Sequence, residues 1–216
     1  MKVYTSVVTA RRSLSSSAFE LRLARPAGFT FRPGQHLRLL LQERQRDYTM
    51  TSGPEDPELA ILVRQVPGGW GSSRLAAQEP GGTLRFTGPH GRFLFRPSPR
   101  KPLFVCTGTG IAPFVAMARS GVRGYTVLHG ARDPEDLYYR DILVAGADGF
   151  VGCISGAGKL EEAGLFSGRV TGFIKERLPQ GAYDFYLCGR EEMVRDVIFL
   201  VDERFPGSRV FTEVFF

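Results

Sequence analysis

Cysteine is scarce in this chain of 216 residues: there are three, Cys106, Cys153 and Cys188, dozens of residues apart. An odd, widely spaced set excludes a disulfide framework, and no Cys-x-x-Cys pair is present to clasp zinc or an iron–sulfur cluster. Redox chemistry, if any, must come from an organic cofactor or a partner. Histidine is equally rare, and His36 and His90 have no Cys, Asp or second His near them in the sequence to suggest a triad or a metal site. Long apolar runs are also missing. The longest, "LRLLLQ" and "VIFLV", are too short for a bilayer, which argues against an integral membrane protein. The N-terminus "MKVYTSVVTARR" alternates like a strand and lacks the apolar block and cleavage site of a signal peptide, so the expectation is an intracellular, cytoplasmic chain. Internal repeats and low-complexity tracts are absent.

What is there is ordinary globular composition, 43% hydrophobic and 23% charged, at a length that allows one large domain or two small ones. The net charge of +6 is unevenly placed. Residues 1–100 carry 15 Lys/Arg against 7 Asp/Glu, a formal +8, and residues 101–216 carry 13 against 15, a formal −2. The arginines of the basic half (Arg11, Arg12, Arg22, Arg25, Arg32, Arg38, Arg44) are spread along strand-like segments. No helix-turn-helix, zinc clasp or aromatic RNA platform accompanies them, which argues against nucleic acid. A solvated face and a surface for an acidic protein partner both remain open.

Two hydrophobic periods divide the chain. Through about residue 96 the period is 2: "KVYTSVV", "AFELRLA", "QHLRLLL", "RDYTMTS", "LAILVRQV" and "TLRFTG" are six strands separated by turns such as "RPAG", "FRPG" and "QEPGG". That pattern predicts an antiparallel barrel or sandwich, with one short helix at "SSRLAAQ". After "FRPSPRKP" strands and helices alternate four times: "LFVC", "IAPFVAMAR", "GYTVLHG", "PEDLYYRDIL", "GFVGCIS", "GRVTGFIKERL", "YDFYLCG", "EEMVRDVIFLVDERF", before a terminal "RVFTEVFF". This predicts a parallel sheet with helices on both faces. The expected domains are 1–97 and 98–216.

The junction "LFVCTGTGIAPFVAM" carries the sharpest local chemistry. A strand ends at Cys106, Gly108 and Gly110 permit close backbone approach to a ligand, and a helix starts near Ile111 with Pro113 in its first turn. Free N–H groups at such a helix start suit a diphosphate, although a tight strand-to-helix turn would read the same. "GAGKL" at 156–160 is not a Walker loop, since Cys153 stands for its first glycine and Leu160 for Ser/Thr. Ligands of open parallel sheets lie beyond the carboxyl ends of the strands, where "TGTG", "HGAR", "ISG" and "CGREEM" fall. Cys188 and His129 at such ends are either buried structural residues or ligand neighbours.

In this order the segments resemble the ferredoxin–NADP reductase-like flavoprotein reductases, over nearly the whole chain. "FRPGQHLRL", "RDYTMTS", "VPGGWGSSRL" and "TGPHGRF" are similar to the family's flavin segments, and "GTGIAP", "LHGARDPEDLYYRD", "GRVT", "YLCGREEM" and "EVFF" to its pyridine-nucleotide segments. The resemblance implies a six-stranded flavin-binding β-barrel followed by a Rossmann-like NAD(P) domain, FAD as cofactor, and NADPH or NADH as the other nucleotide. It implies that Arg46 pairs with the flavin pyrophosphate, a bidentate task, that Tyr48 lies along the isoalloxazine and that Thr49 hydrogen-bonds near N5. Strict alternation puts Tyr48 and Thr49 on opposite faces, so the strand is expected to bend there, or Thr49 to act partly through its backbone N–H. Leu62, Val63 and Arg64 would line the flavin. Gly71, Ser72 and Ser73 would hold the pyrophosphate, or form an ordinary serine N-cap.

For the second domain the resemblance implies Gly108, Thr109 and Gly110 at the nucleotide diphosphate, with Pro113 behind them, and Cys188, Gly189, Met193 and Glu213 around the nicotinamide. Thr49, Cys188 and Glu213 form the implied catalytic set. Phe215 or Phe216 would cover the flavin or pack as core. One departure stands out. NADPH-using relatives often carry Ser-Arg after the third strand of this domain, whereas this chain has Ser155-Gly156, leaving Arg132 or Lys159 to meet a 2′-phosphate. Losing a charge-assisted contact costs about 1.5–3 kcal/mol, or roughly tenfold to a hundredfold in affinity, which brings NADH into play. The implied reaction is hydride transfer from NAD(P)H to FAD. Electrons then leave to a separate ferredoxin, flavodoxin or oxygenase component. A flavin-binding electron-transfer subunit or interaction module of a larger complex is the alternative.

Overall fold

The computed structural model describes residues 2–156 and 162–214. They form two units, one built from the chain up to Phe95 together with Ala112–Ser120, the other from Arg96–Ile111 and the chain from Gly121 on.

In the first unit, β1 (Val3–Ser13), β2 (Ala18–Ala24), β3 (His36–Leu41), β4 (Arg44–Thr49), β5 (Glu58–Arg64) and β6 (Thr83–His90) pair in the order β4-β3-β6-β1-β2-β5. All these pairings are antiparallel. Between β5 and β6 lies the short helix α1 (Trp70–Ala76). The two edge strands meet: past Thr49 the chain leaves β3, and Met50 bridges Ile61 of β5 while the Thr51 N–H donates to the Ala60 carbonyl at 2.8 Å. This closes the sheet into a barrel and leaves no open edge. Alternate leucines follow from the period-2 pattern. Leu37, Leu39, Ile61, Val63 and Phe86 fill the core, with Leu75 of α1 among them.

The helix α2 (Ala112–Arg119) groups with this unit. Its apolar residues are buried throughout, the Phe114 ring meets Phe93 edge-on at 5.8 Å, and Arg119 donates to the Thr51 carbonyl at 3.0 Å. Gly34 is required where the loop passes beneath this layer. Its φ is +98°, and a Cβ there would collide with the Phe93 carbonyl.

The second unit holds β7 (Lys101–Thr107), β8 (Tyr125–Ala131), β9 (Ala147–Ile154), β10 (Leu165–Ser167), β11 (Tyr183–Gly189) and β12 (Arg209–Val214), all parallel, in the order β10-β9-β8-β7-β11-β12. The order reverses at β7, which makes the β7/β11 carboxyl ends a topological switch point. One face is covered by α4 (Val170–Glu176) and α5 (Glu191–Arg204), packed on Leu103, Val105, Phe185 and Leu187. The other carries a row of rings: Tyr125 stacks on Phe104 at 4.7 Å, Phe104 meets Tyr186 edge-on at 5.6 Å, and Tyr186 stacks on Phe211 at 4.7 Å.

One expectation is corrected here and one strand is added. Residues 134–143 do not form one helix. A 3-10 turn (Pro134–Asp136) and α3 (Arg140–Val144) are separated by Tyr139 in the left-handed region, φ 56°. Burial of Tyr138 and Tyr139, with the Tyr138 hydroxyl donating to Asp136 at 2.7 Å, takes the place of helical continuity. The three-residue β10 is too short to leave a periodic signal. Among the described residues no helix is long and apolar enough to cross a membrane.

His129, fully buried near the end of β8, donates through Nε2 to the Gly108 carbonyl at 3.1 Å. Its Nδ1 has no hydrogen-bond partner among the described residues. Burial pushes its pKa down to about 4 against the ordinary 6.5, the Gly108 bond opposing the shift. A histidine depressed in the folded state takes up its proton in the unfolded chain first. Its contribution to stability is therefore complete above about pH 6.5 and is lost as pH falls toward 4, by about 3 kcal/mol in all. Urea denaturation across this range should show a decline that His129→Gln flattens, since glutamine keeps a donor for Gly108 but does not titrate. An equally steep decline in the variant would contradict this.

Candidate active site: a flavin grip and a nucleotide loop

The β4 strand pairs in regular register with β3, Leu39 opposite Arg46, Leu37 opposite Tyr48 and His36 opposite Thr49. Arg46 and Tyr48 thus share one face and Thr49 takes the other, and the bend comes one residue later, at Met50. On the first face α1 begins close by. A Cβ added to Gly71 would lie 3.5 Å from Arg46 Cγ and 3.9 Å from the Tyr48 hydroxyl. Arg46, Tyr48 and Gly71 are therefore brought together. Burial raises the Tyr48 pKa, with Arg46 opposing, so the phenol stays neutral.

Other members of the set divide. The Ser72 hydroxyl accepts from Val66 N–H at 3.1 Å and is spent on closing the 66–72 loop, while Ser73 is exposed. Gly69 is the N-cap of α1 and makes no side-chain cap bond, so the serine N-cap expectation fails. Val63 points into the barrel core, so alternation puts Leu62 and Arg64 on the outer face. The sequence reading missed Trp70, whose ring lies 5.2 Å from the Arg44 guanidinium and 4.6 Å from that of Arg74. With Arg46 these make three arginines near the start of α1 with no carboxylate partner among the described residues. The usable signal was the excess of arginine around the chain's single tryptophan.

The opposite face of β4 holds a polar group that the sequence scatters. Arg38 clamps Asp47 with two bonds of 2.7 and 2.8 Å, holding the Asp47 carboxyl below its usual range. His36 and His90 join them, contrary to their isolation along the chain. The Thr49 hydroxyl is buried here with no hydrogen-bond partner among the described residues. Such an orphan is costly unless a ligand satisfies it. Together with the arginines that lack a carboxylate partner among the described residues and the close approach at Gly71, it fits a flavin dinucleotide.

At the switch point of the second unit, β7 runs into a 3-10 turn, Gly108–Ile111, before α2. Gly108 has φ +52° with open space at its Cβ position. Gly110 is glycine for another reason: a Cβ would run into the Cys188 carbonyl and stand 2.8 Å from Gly189 Cα. The Thr107 hydroxyl accepts from Arg190 N–H at 3.0 Å, tying the same two strand ends together. Gly108, Thr109, Gly110, Cys188 and Gly189 thus form one cluster in which Gly110 serves strand–loop packing rather than ligand approach alone.

Cys188 is fully buried in register with Cys106 on one side and Glu213 on the other. Burial, then Glu213, pushes its thiol well up, so it is a neutral neighbour and not a thiolate. Ser155 donates to the Ala131 carbonyl through its N–H at 3.0 Å, and Gly156 to the Arg132 carbonyl at 2.8 Å, so the ends of β8 and β9 bring Ser155 and Arg132 together with Arg132 exposed. Met193, on α5, is buried in the core, and Pro113 is buried within α2. Lys159, Phe215 and Phe216 lie outside the described residues.

Comparison with known proteins agrees with this division. Residues 6–95 match the family model of the oxidoreductase FAD-binding domain and residues 104–198 that of the oxidoreductase NAD-binding domain. Ferredoxin–NADP reductase B of Sorangium cellulosum is 42% identical over 66% of this chain and 64% of its own length. The toluate 1,2-dioxygenase electron transfer component of Pseudomonas putida is 31% identical over 90% of this chain and 62% of its own. The chain thus spans under two thirds of the length of these relatives. Among solved structures, a ferredoxin NADP+ reductase from Neisseria gonorrhoeae with bound FAD and NADP superposes with a TM-score of 0.87 over 100% of both chains at 23% identity, a likeness of fold. The chain belongs to the ferredoxin–NADP reductase-like family of flavoprotein reductases, which joins an FAD-binding to an NAD-binding oxidoreductase domain.

Proposed function

We propose that the protein is an FAD-dependent NAD(P)H oxidoreductase that hands electrons to a separate acceptor, a ferredoxin, a flavodoxin or an oxygenase component, with 1–97 as its flavin-binding and 98–216 as its NAD(P)-binding domain. The observation that carries this reading is that β4 holds the orphaned Thr49 hydroxyl on one face and, on the other, Arg46 and Tyr48 beside Gly71 of α1. Bound FAD would supply the chemistry, accepting hydride from NAD(P)H and passing electrons to the acceptor. Arg46, with Arg44 and Arg74, would hold and neutralise the pyrophosphate. Tyr48 offers a neutral ring to stack along the isoalloxazine, and Thr49 satisfies its own hydroxyl at the polar edge. In the other unit the Gly108–Gly110 turn offers N–H groups to the nucleotide diphosphate, and neutral Cys188 beside Glu213 borders the nicotinamide. Arg132 beside Ser155 is the candidate for a 2′-phosphate. The three free, buried cysteines suit a reducing compartment, and we assign the protein to the cytoplasm.

The name of the Pseudomonas relative, an electron transfer component of a dioxygenase, favours a second reading in which this chain works as one subunit of an oxygenase system. Size-exclusion of the native complex separates the two: a free monomer with full dye-reductase activity contradicts the subunit reading.

Anaerobic titration of the FAD-loaded protein with NADH and with NADPH, followed by flavin absorbance, should bleach the flavin with at least one of them. Arg46→Lys, which loses the bidentate fork, should weaken FAD binding about tenfold to a hundredfold. Absence of FAD uptake, or uptake without bleaching by either nucleotide, overturns the reading.

The basic N-terminal half, formally +8 over residues 1–100, favours an acidic acceptor protein. Stopped-flow reduction of such an acceptor should slow steeply as salt rises from about 0.05 to about 0.3 M, over which the Debye length falls from roughly 14 to roughly 6 Å. Rates independent of salt would contradict electrostatic docking.

A further inference from the structure

A fully buried histidine stands at the end of β8, beside the nucleotide turn. His129 is in register with Cys106 of β7, and alternation puts it on the face of the sheet away from the core under α4 and α5. Burial keeps the ring neutral, with its pKa pushed down to about 4. Its Nε2 lies 3.1 Å from the Gly108 carbonyl oxygen, which only accepts, so Nε2 carries the proton and the tautomer is fixed. Nδ1 is then a bare lone pair without a hydrogen-bond partner among the described residues. Tyr138 packs its ring 6.3 Å from the imidazole, yet its hydroxyl donates to Asp136. A buried acceptor without a donor destabilises the fold, and an apolar ring of the same size would avoid that penalty. What the position retains by being histidine is the donor to Gly108.

What that donor does follows from the peptide it holds. Gly108 has φ +52° and open space where a Cβ would stand, and Gly110 follows two residues later. Backbone flanked by glycines turns its peptide planes over at little steric cost. The Gly108 carbonyl and the Thr109 N–H belong to one planar trans peptide, so they point in opposite directions. Binding the carbonyl to a buried ring therefore turns the Thr109 N–H away from that ring, at a residue that is only half-buried. The turn is also held from β11, where the Arg190 N–H donates to the Thr107 hydroxyl at 3.0 Å and Gly110 lies close against the Cys188 carbonyl. Of these ties, the His129 bond is the one that sets which way the 108–109 peptide faces.

We propose that His129 is a positioning residue of the nucleotide site: its Nε2–H locks the 108–109 peptide with the Thr109 N–H outward, where it meets a diphosphate oxygen of NAD(P)H. The proposal rests on the nucleotide reading given under Proposed function. His129 acts through Gly108 and takes no part in hydride transfer. A preset peptide spares the nucleotide the ordering that a flexible turn would undergo on binding. The effect is therefore one of affinity, and nucleotide held by a loosened turn still delivers its hydride. Loss of one neutral hydrogen bond of this kind corresponds to about threefold to tenfold in affinity.

The test is anaerobic stopped-flow bleaching of the FAD-loaded protein over a range of NADH and NADPH concentrations, in wild type, His129→Phe and His129→Gln. Phenylalanine fills the place of the ring without a donor, and glutamine keeps a donor. His129→Phe should raise the nucleotide concentration for half-maximal rate about threefold to tenfold without a comparable fall in the limiting rate, and His129→Gln should restore most of the difference. Half-saturation equal to wild type in His129→Phe, a fall in the limiting rate alone, an equal loss of FAD affinity, or a His129→Gln protein no better than His129→Phe overturns the proposal. NMR of the wild-type imidazole reads the same bond without any variant. The Nε2–H resonance of His129 should shift when NAD+ or NADP+ saturates the FAD-loaded protein, and a resonance indifferent to bound nucleotide overturns the proposal even where the variants do not fold. If neither nucleotide bleaches the wild type, the flavin reading falls and this proposal with it. If the wild type is bleached but His129→Phe matches it, only the positioning role falls.

Discussion

The structure of the flavin half depends on one backbone exchange, the transfer of the chain from β3 to β5 immediately after Thr49. Met50 N–H donates back to Gln35 at 3.2 Å, Thr51 N–H donates forward to Ala60 at 2.8 Å, and Ala60 N–H donates to the Ser52 hydroxyl at 3.1 Å. An open edge at β4 or β5 would leave backbone donors and acceptors to water or to another chain. Closing the barrel there removes the edge. It also fixes the last regular residue, Thr49, with its hydroxyl buried and without a hydrogen-bond partner among the described residues. Arg46, Tyr48 and Thr49 therefore lie on regular strand backbone. They present two faces of a strand at the closing seam of the barrel.

The second unit is organised around a different economy. Its interior near the switch point is kept neutral: Cys106, Cys153 and Cys188 have thiols raised by burial, and His129 is held uncharged. Close backbone contact at Gly110, Cys188 and Gly189 brings the β7 and β11 ends together without any side chain between them. Charged side chains at this end include Arg132, Arg190 and Glu213.

Much of this was legible in the sequence because periodicity and turn chemistry report directly on backbone. β2 and β11 coincide with their segments "AFELRLA" and "YDFYLCG", and the change of period marks the passage from antiparallel to parallel sheet. What escaped depended on contacts between distant residues. β1 runs on to Ser13 through a register shift between Val8 and Ala10, because its partner changes from β6 to β2 along its length. The break at Tyr139 follows from burial of two adjacent tyrosines, which helical propensity does not encode. Met193 and Val63 carry the family's positions but face the core, since motif matching does not say which way a side chain points. His36 and His90 looked solitary because register, rather than spacing, makes them neighbours.

The central claim is that the seam at residues 46–52, with the start of α1, is where a flavin dinucleotide is held. Backbone amide hydrogen exchange with and without FAD tests it most directly, because it reads each segment separately. The account predicts that FAD slows exchange in residues 46–52 and 70–73 while leaving β1 and β2 unchanged. Protection confined to other strands, or none in 46–52, would contradict it.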